Sequence, residues 1–260
     1  MTKPAVTRVI EHVVGAIEAA PVFDDPFCLL TLEQVFPDDV YAEMIRCLPR
    51  PGDYRALPGR NNDNVRTDGT VTRVKIDLFP EYIRHFSAET RPVWEIVGAA
   101  LTSSTVQAAF VRRLAPGLAR RFGDQHADID MYPIPVLTRD TAGYRIPPHT
   151  DTRWKGITVQ LYLPADDANA GIGTIMNRRE PDGSFSVARK MRFVPNSGYA
   201  FAVNDISWHS ADQVGPEVRS RDSILLTYFV DSGLLRALRN RGKRIGNLLL
   251  NEMRHITGRS

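Results

Sequence analysis

Residues 149–151 read His-Thr-Asp, within the stretch YRIPPHTDTRWKG at 144–156. On a strand or at its edge, side chains two positions apart leave the backbone on the same side. An imidazole nitrogen of His149 and a carboxylate oxygen of Asp151 can therefore converge on one cation. Two ligands are too few for a catalytic metal centre, and a pair this short recurs by chance. A third candidate is His209 in NDISWHSADQV, shortly after the apolar run YAFAV. Two imidazoles and one carboxylate on one face of an Fe(II) ion leave positions for a bidentate co-substrate and O2, whereas a closed zinc site takes four protein ligands. Among the other histidines, His12 and His85 fall in helical or solvent-facing contexts and His255 lies in the tail. His126, the one competitor, precedes a strand without a partner.

Twelve residues after His209 comes Arg221, followed by Asp222, Ser223 and the strand-like run ILLTYFVD. An inward arginine there offers a guanidinium fork that holds a carboxylate bidentately and stays charged when desolvated. Ser223, two positions on, adds a hydroxyl on the same face. Arg219, ten residues after His209, is the rival for this role.

Val6, Val9, Ile10, Val13, Val14 and Ile17 recur at helical spacing and predict an amphipathic helix over 5–20, ended by Pro21. A second helix is expected from Pro37-Asp38 to Leu48, and a longer helical region from Pro92 to Leu114, broken at Ser103-Ser104. The stretch 49–69, rich in Pro, Gly, Asn and Asp, reads as an irregular loop, followed by a strand over 70–78. From about 126 the character changes to short β-prone runs: MYPIPVL, ITVQLYLP, GTIMN, SFSVA, MRFVP, YAFAV and ILLTYFV. Seven such runs separated by turn residues fit an antiparallel jelly roll better than alternating β-α units. The tail from Gly233 returns to a helical pattern. The expected fold is α+β in a single domain over 1–260. It has a mainly helical part over 1–125, a jelly-roll core over 126–231 and a C-terminal helix over 232–260.

His149, Asp151, His209 and Arg221, in that order and spacing, resemble the Fe(II)/2-oxoglutarate-dependent oxygenases. The resemblance covers about 126–231. Further matches are to the prolyl-hydroxylase-like branch: ITVQLYLP ending in Tyr-Leu, GIGT at 171–174, VPNSGYAFAV before the distal histidine and YFVD after the arginine. It implies a double-stranded β-helix with N-terminal helices packed on one sheet. It also implies Fe(II) held by His149, Asp151 and His209, with 2-oxoglutarate and O2 as co-substrates. Tyr162 and Arg221 would hold the distal carboxylate of 2-oxoglutarate with help from Ser223. Gly171-Ile172-Gly173 departs from the usual double glycine.

For substrate contacts the candidates are Tyr144 and Trp154, which flank the metal motif, and Asn62 and Arg66 in the long loop, with Arg73 and Lys75 on the strand after it. Several polar side chains on one wall favour a small polar or anionic metabolite or natural-product intermediate. A peptidyl side chain such as proline and a non-catalytic binding module are the alternatives. A formal net charge of +3 without long basic runs speaks against nucleic acid, as does Thr227 where the nucleic-acid repair branch carries a second arginine. Two lone cysteines, Cys28 and Cys47, read as buried thiols. With neither a secretory leader nor a long apolar span in the pattern, the expectation is a cytoplasmic protein that does not enter a membrane. Oligomeric state leaves no mark in the sequence.

Overall fold

A computed structural model describes residues 3–59 and 64–231. Helix α1 (Lys3–Ala19) is rich in β-branched residues, yet Val9, Val13 and Ile17 are fully buried. Burial at ~1.5–3 kcal/mol per side chain outweighs a propensity penalty of at most ~0.7 kcal/mol per residue. Strands β1 (Val22–Phe23) and β2 (Leu29–Leu32) follow, then α2 (Asp38–Arg46), β3 (Arg55–Ala56) and β4 (Arg73–Asp77). The expected loop over 49–69 thus contains a one-turn helix at Pro51–Asp53 and the short strand β3. Next come α3 (Pro80–Ile83), α4 (Arg91–Leu101) and α5 (Ser104–Arg113), the last capped by the Ser103 hydroxyl on the Val106 N–H. The break at Ser103-Ser104 lies where the sequence places it. A further helix, α6 (Ala115–Phe122), follows without a loop. The expected helical region ends at Leu114, one residue short of it; Pro116 stands in its first turn, where proline is well tolerated.

The C-terminal half supplies β5 (Met131–Asp140), β6 (Ile146–His149), β7 (Lys155–Tyr162), β8 (Ile175–Arg179), β9 (Phe185–Lys190), β10 (Gly198–Ala202), β11 (His209–Ala211) and β12 (Arg221–Val230). They form two sheets, β1-β2-β10-β7-β12-β5-β4-β3 and β6-β11-β8-β9, antiparallel throughout. The expected α+β jelly roll is present. Of the seven runs read as strands, MRFVP is not one: residues 191–195 have no ladder partner. Two strands outside those seven runs, β6 and β11, carry the candidate metal-ligating histidines His149 and His209. Pro147 and Pro148 hide β6 in the sequence, and it lies at a sheet edge, where proline removes no needed donor.

The period-two alternation of the large sheet separates its two faces. Ile157, Val159 and Leu161 of β7, Ala200 and Ala202 of β10, and Ile224, Leu226 and Tyr228 of β12 join the helices in one apolar core. The intervening residues point into the jelly roll. Helix α6 reaches the sheet at Gly117, where a Cβ would stand 2.7 Å from Cys28 Cβ and 2.8 Å from Ala202 Cβ. Both cysteines are buried and free. No helix among the described residues is long and apolar enough to cross a membrane. The C-terminal helix expected over 232–260 lies outside the described residues.

Candidate metal centre

His149 ends β6, His209 begins β11, and the two are direct cross-strand partners with ring centroids 4.3 Å apart. Asp151 follows on the loop after β6. One ligand atom from each of the three lies within 4.8 Å of the others. The Nδ1 of His149 lies 3.0 Å from the Pro147 carbonyl, and that of His209 lies 3.0 Å from the Ser207 carbonyl. A carbonyl only accepts, so both protons sit on Nδ1, and each Nε2 keeps its lone pair free for a cation.

Protonation states suit the same task. Burial pushes the His209 pKa down to about 4, with Asp151 opposing that shift. The Asp151 side chain is 8% exposed. Burial raises its pKa, but Lys155, His209 and Thr158 together hold it well below the usual carboxylate range. At neutral pH the set is therefore a neutral imidazole and a charged carboxylate, the forms that bind a divalent metal. Lys155 Nζ donates to Asp151 Oδ1 at 2.5 Å, and the Thr158 hydroxyl donates to Oδ2 at 2.6 Å. The loop itself is tied down from the helical half. Arg121 of α6 donates to the carbonyls of Lys155 (2.6 Å), Val203 (3.0 Å) and Arg153.

These residues line a cavity of about 190 Å³ whose wall also includes Arg73, Tyr144, Thr158, Gln160, Tyr199 and Arg221. Arg221, 1% exposed, donates through Nη1 to the Ile172 carbonyl at 2.9 Å, whereas the rival Arg219 is exposed. That carbonyl belongs to the unusual GIGT turn. Gly173 is the glycine the turn requires, since a Cβ there would fall 1.9 Å from the Met191 carbonyl oxygen, while Gly171 faces open space. Ser223 and Tyr162 are buried behind the cavity wall. The Ser223 hydroxyl accepts from Gln160 Nε2 (2.9 Å) and lies 3.0 Å from the Thr138 hydroxyl. The Tyr162 hydroxyl accepts from the Thr174 N–H at 2.9 Å. Gln160 Oε1 accepts from the Tyr199 hydroxyl at 2.6 Å, so a continuous polar layer lies under the cavity.

The four substrate candidates fare differently. Tyr144 lines the cavity; it is 1% exposed and lies under the guanidinium groups of Arg73 and Arg221, because it packs inward with Ala211, Val214 and Val218. Trp154 is 46% exposed and outside the cavity wall. Arg66 is also exposed and off the wall; it runs past Gly143. Asn62 lies outside the described residues. Of the two strand candidates, Arg73 lines the cavity, whereas Lys75 pairs with Asp77 at 3.1 Å. Thr158, Gln160 and Tyr199 were not singled out. The signal for Thr158 and Gln160 is a polar residue at alternate positions of the otherwise apolar β7; Tyr199 shares its face of β10 with Phe201 and carries no such signal.

No protein-family model matches the chain, and no curated protein matches it. Solved structures do. A prolyl-4-hydroxylase from Pseudomonas putida superposes with a TM-score of 0.50 at 14% identity, over 86% of this chain and all of that one. A prolyl hydroxylase from Trichoplax adhaerens, solved with a hypoxia inducible factor oxygen degradation domain peptide fragment, gives 0.52 at 13%, over 87% and 91%. The chain shares the double-stranded β-helix fold of these hydroxylases.

Proposed function

We propose that the chain is an Fe(II)- and 2-oxoglutarate-dependent oxygenase that hydroxylates, or otherwise oxidises, a small polar metabolite or natural-product intermediate. One observation carries the reading: His149, Asp151 and His209 converge within 4.8 Å on the wall of a cavity that also contains the buried guanidinium of Arg221. The three side chains would hold the iron. Bound iron supplies activation of O2, coupled to oxidative decarboxylation of 2-oxoglutarate to succinate and CO2.

The chain's own residues do the positioning. Arg221 takes the distal carboxylate of 2-oxoglutarate through its fork. Ser223 and Tyr162 fix the polar layer behind it through Gln160 and Thr174. Phe201 packs against the His209 ring, 4.9 Å between centroids, and keeps water from that side of the centre. A cavity of about 190 Å³ is smaller than the ~300–1,000 Å³ typical of drug-sized ligands, so co-substrate and only the reacting part of a substrate fit inside.

A second reading, hydroxylation of a peptidyl side chain, draws support from the peptide bound to the Trichoplax neighbour. Anaerobic titration with Fe(II) and then 2-oxoglutarate tests the oxygenase. The parent should develop the weak visible charge-transfer band, and His149→Ala should not. No band in the parent would leave a binding module as the answer. Succinate release stimulated by metabolites but not by proline-containing peptides separates the two substrate classes.

A further inference from the structure

The base of the cavity holds one more cation than the motif accounts for. Arg73 on β4, Asp140 on β5 and Arg221 on β12 are register partners across three adjacent strands, Arg73 with Asp140 and Arg221 with Asp140. Asp140 receives the Arg73 fork from Nε at 2.5 Å and Nη2 at 2.9 Å. Arg221 Nε stands 3.3 Å from the same Oδ2 but is too poorly aligned to bond, and it is a buried nitrogen without a hydrogen-bond partner. Both guanidinium groups lie over the Tyr144 ring, at 4.2 and 5.5 Å. The side chains are almost wholly withdrawn from water, at 14% exposure for Arg73, 2% for Arg221 and none for Asp140. Among the described residues no other carboxylate pairs with either arginine.

Two buried cations therefore share one anion, and a guanidinium left without a counter-charge in such a place is strongly disfavoured. Asp140 takes two of the five N–H bonds of Arg73, which leaves the Nη1 pair and one on Nη2 for a further acceptor.

We propose that Arg73 and Arg221, splinted by Asp140, form a two-arginine clamp for the single distal carboxylate of 2-oxoglutarate; this rests on the oxygenase reading above. Charge decides against assigning Arg73 to the oxidised substrate instead. At the base, two arginines and one aspartate leave one positive charge, and one monoanionic carboxylate cancels it. At the other end Lys155 already has Asp151 as its partner. Arg73 enters from a strand that precedes the jelly roll, so it falls outside the His-x-Asp, His, Arg pattern. It is a positioning residue for the co-substrate.

The test is calorimetric titration of the Mn(II)-loaded protein under anaerobic conditions. The two probes are 2-oxoglutarate and 2-oxobutyrate, which keeps the 2-oxo acid and lacks the distal carboxylate. Arg73→Gln should weaken 2-oxoglutarate roughly 10- to 100-fold, the range of a lost charged hydrogen bond, and leave 2-oxobutyrate and Mn(II) within about twofold of the parent. Arg73→Lys keeps the counter-charge of Asp140 without the fork and should fall between; it carries the test if the glutamine variant does not fold. Arg73→Gln combined with Arg221→Gln should lose less than the product of the single losses, since both act on one carboxylate. Parent-like affinity for 2-oxoglutarate in both Arg73 variants overturns the clamp. So does equal weakening of the two acids, which would mark a merely structural role. If the parent binds Mn(II) but neither acid, the oxygenase reading itself has failed.

Discussion

His149 and His209 face each other across neighbouring strands, each ring holding its Nδ1 proton on a carbonyl two residues earlier in the chain. Burial of His209 makes the site sensitive to acid. His209 is buried, and its pKa is down at about 4 against an ordinary 6.5. A depressed folded-state value means the unfolded chain takes up the proton first. Stability from keeping this imidazole neutral is present above pH 6.5 and drains away as pH falls towards 4.

The metal-free protein should accordingly lose up to about 3 kcal/mol of unfolding free energy between pH 6.5 and 4. Urea unfolding in the presence of a chelator, repeated across that range, measures it. His209→Gln should flatten the slope. An unchanged slope in the variant would assign the acid sensitivity to other groups.

Thr158→Val preserves the shape of β7 and removes the hydroxyl that holds Asp151 Oδ2 at 2.6 Å. Oriented carboxylates bind metal more tightly than free ones, so Mn(II) affinity should fall about 10-fold with little change in fold. Competition against a metal-sensitive dye reads this directly. Parent-like affinity would mean that Lys155 alone orients Asp151.

Arg121→Gln removes a guanidinium that bridges the carbonyls of Arg153, Lys155 and Val203. Amide hydrogens at 152–156 should exchange at least 10-fold faster in the variant while those of β12 stay protected. Uniform acceleration across the sheet would show a global loss of stability instead of a released metal loop.

Gly173→Ala drives a methyl group against the Met191 carbonyl oxygen in a turn that both Arg221 and Thr174 depend on. A loss of about 1–3 kcal/mol in urea is expected, as for other overpacked sites. Gly171→Ala, with open space around it, should stay within about 0.5 kcal/mol of the parent.

How legible these features were depends on how far apart in the chain their causes lie. Helix α1, the break before α5 and the strand carrying Arg221 follow from local spacing and caps, and the sequence shows them. The set His149, Asp151, His209 and Arg221 is legible because its order is a pattern in one dimension. Asp140 and Arg73 were not read as a unit. They lie 67 residues apart, and only the register of β4 on β5 joins them. Tyr144 lines the cavity, but its burial was not legible, because a tyrosine near a polar loop gives no sign of which layer it packs into. The strand β6 was hidden by two prolines that an edge position tolerates.

The change of character near residue 126 looks like a boundary where the chain could be cut. The cavity ignores it. Strand β4 extends the large sheet past β5, and Arg121 fastens the metal loop from behind. A fragment beginning at 126 would keep His149, Asp151 and His209 yet lack Arg73 and the helical anchor of the loop, and so would be an incomplete version of the candidate site. The helical half is a part of the pocket's construction: it fastens the loop beneath Asp151, and the strand that follows its long loop sets Arg73 in the cavity wall.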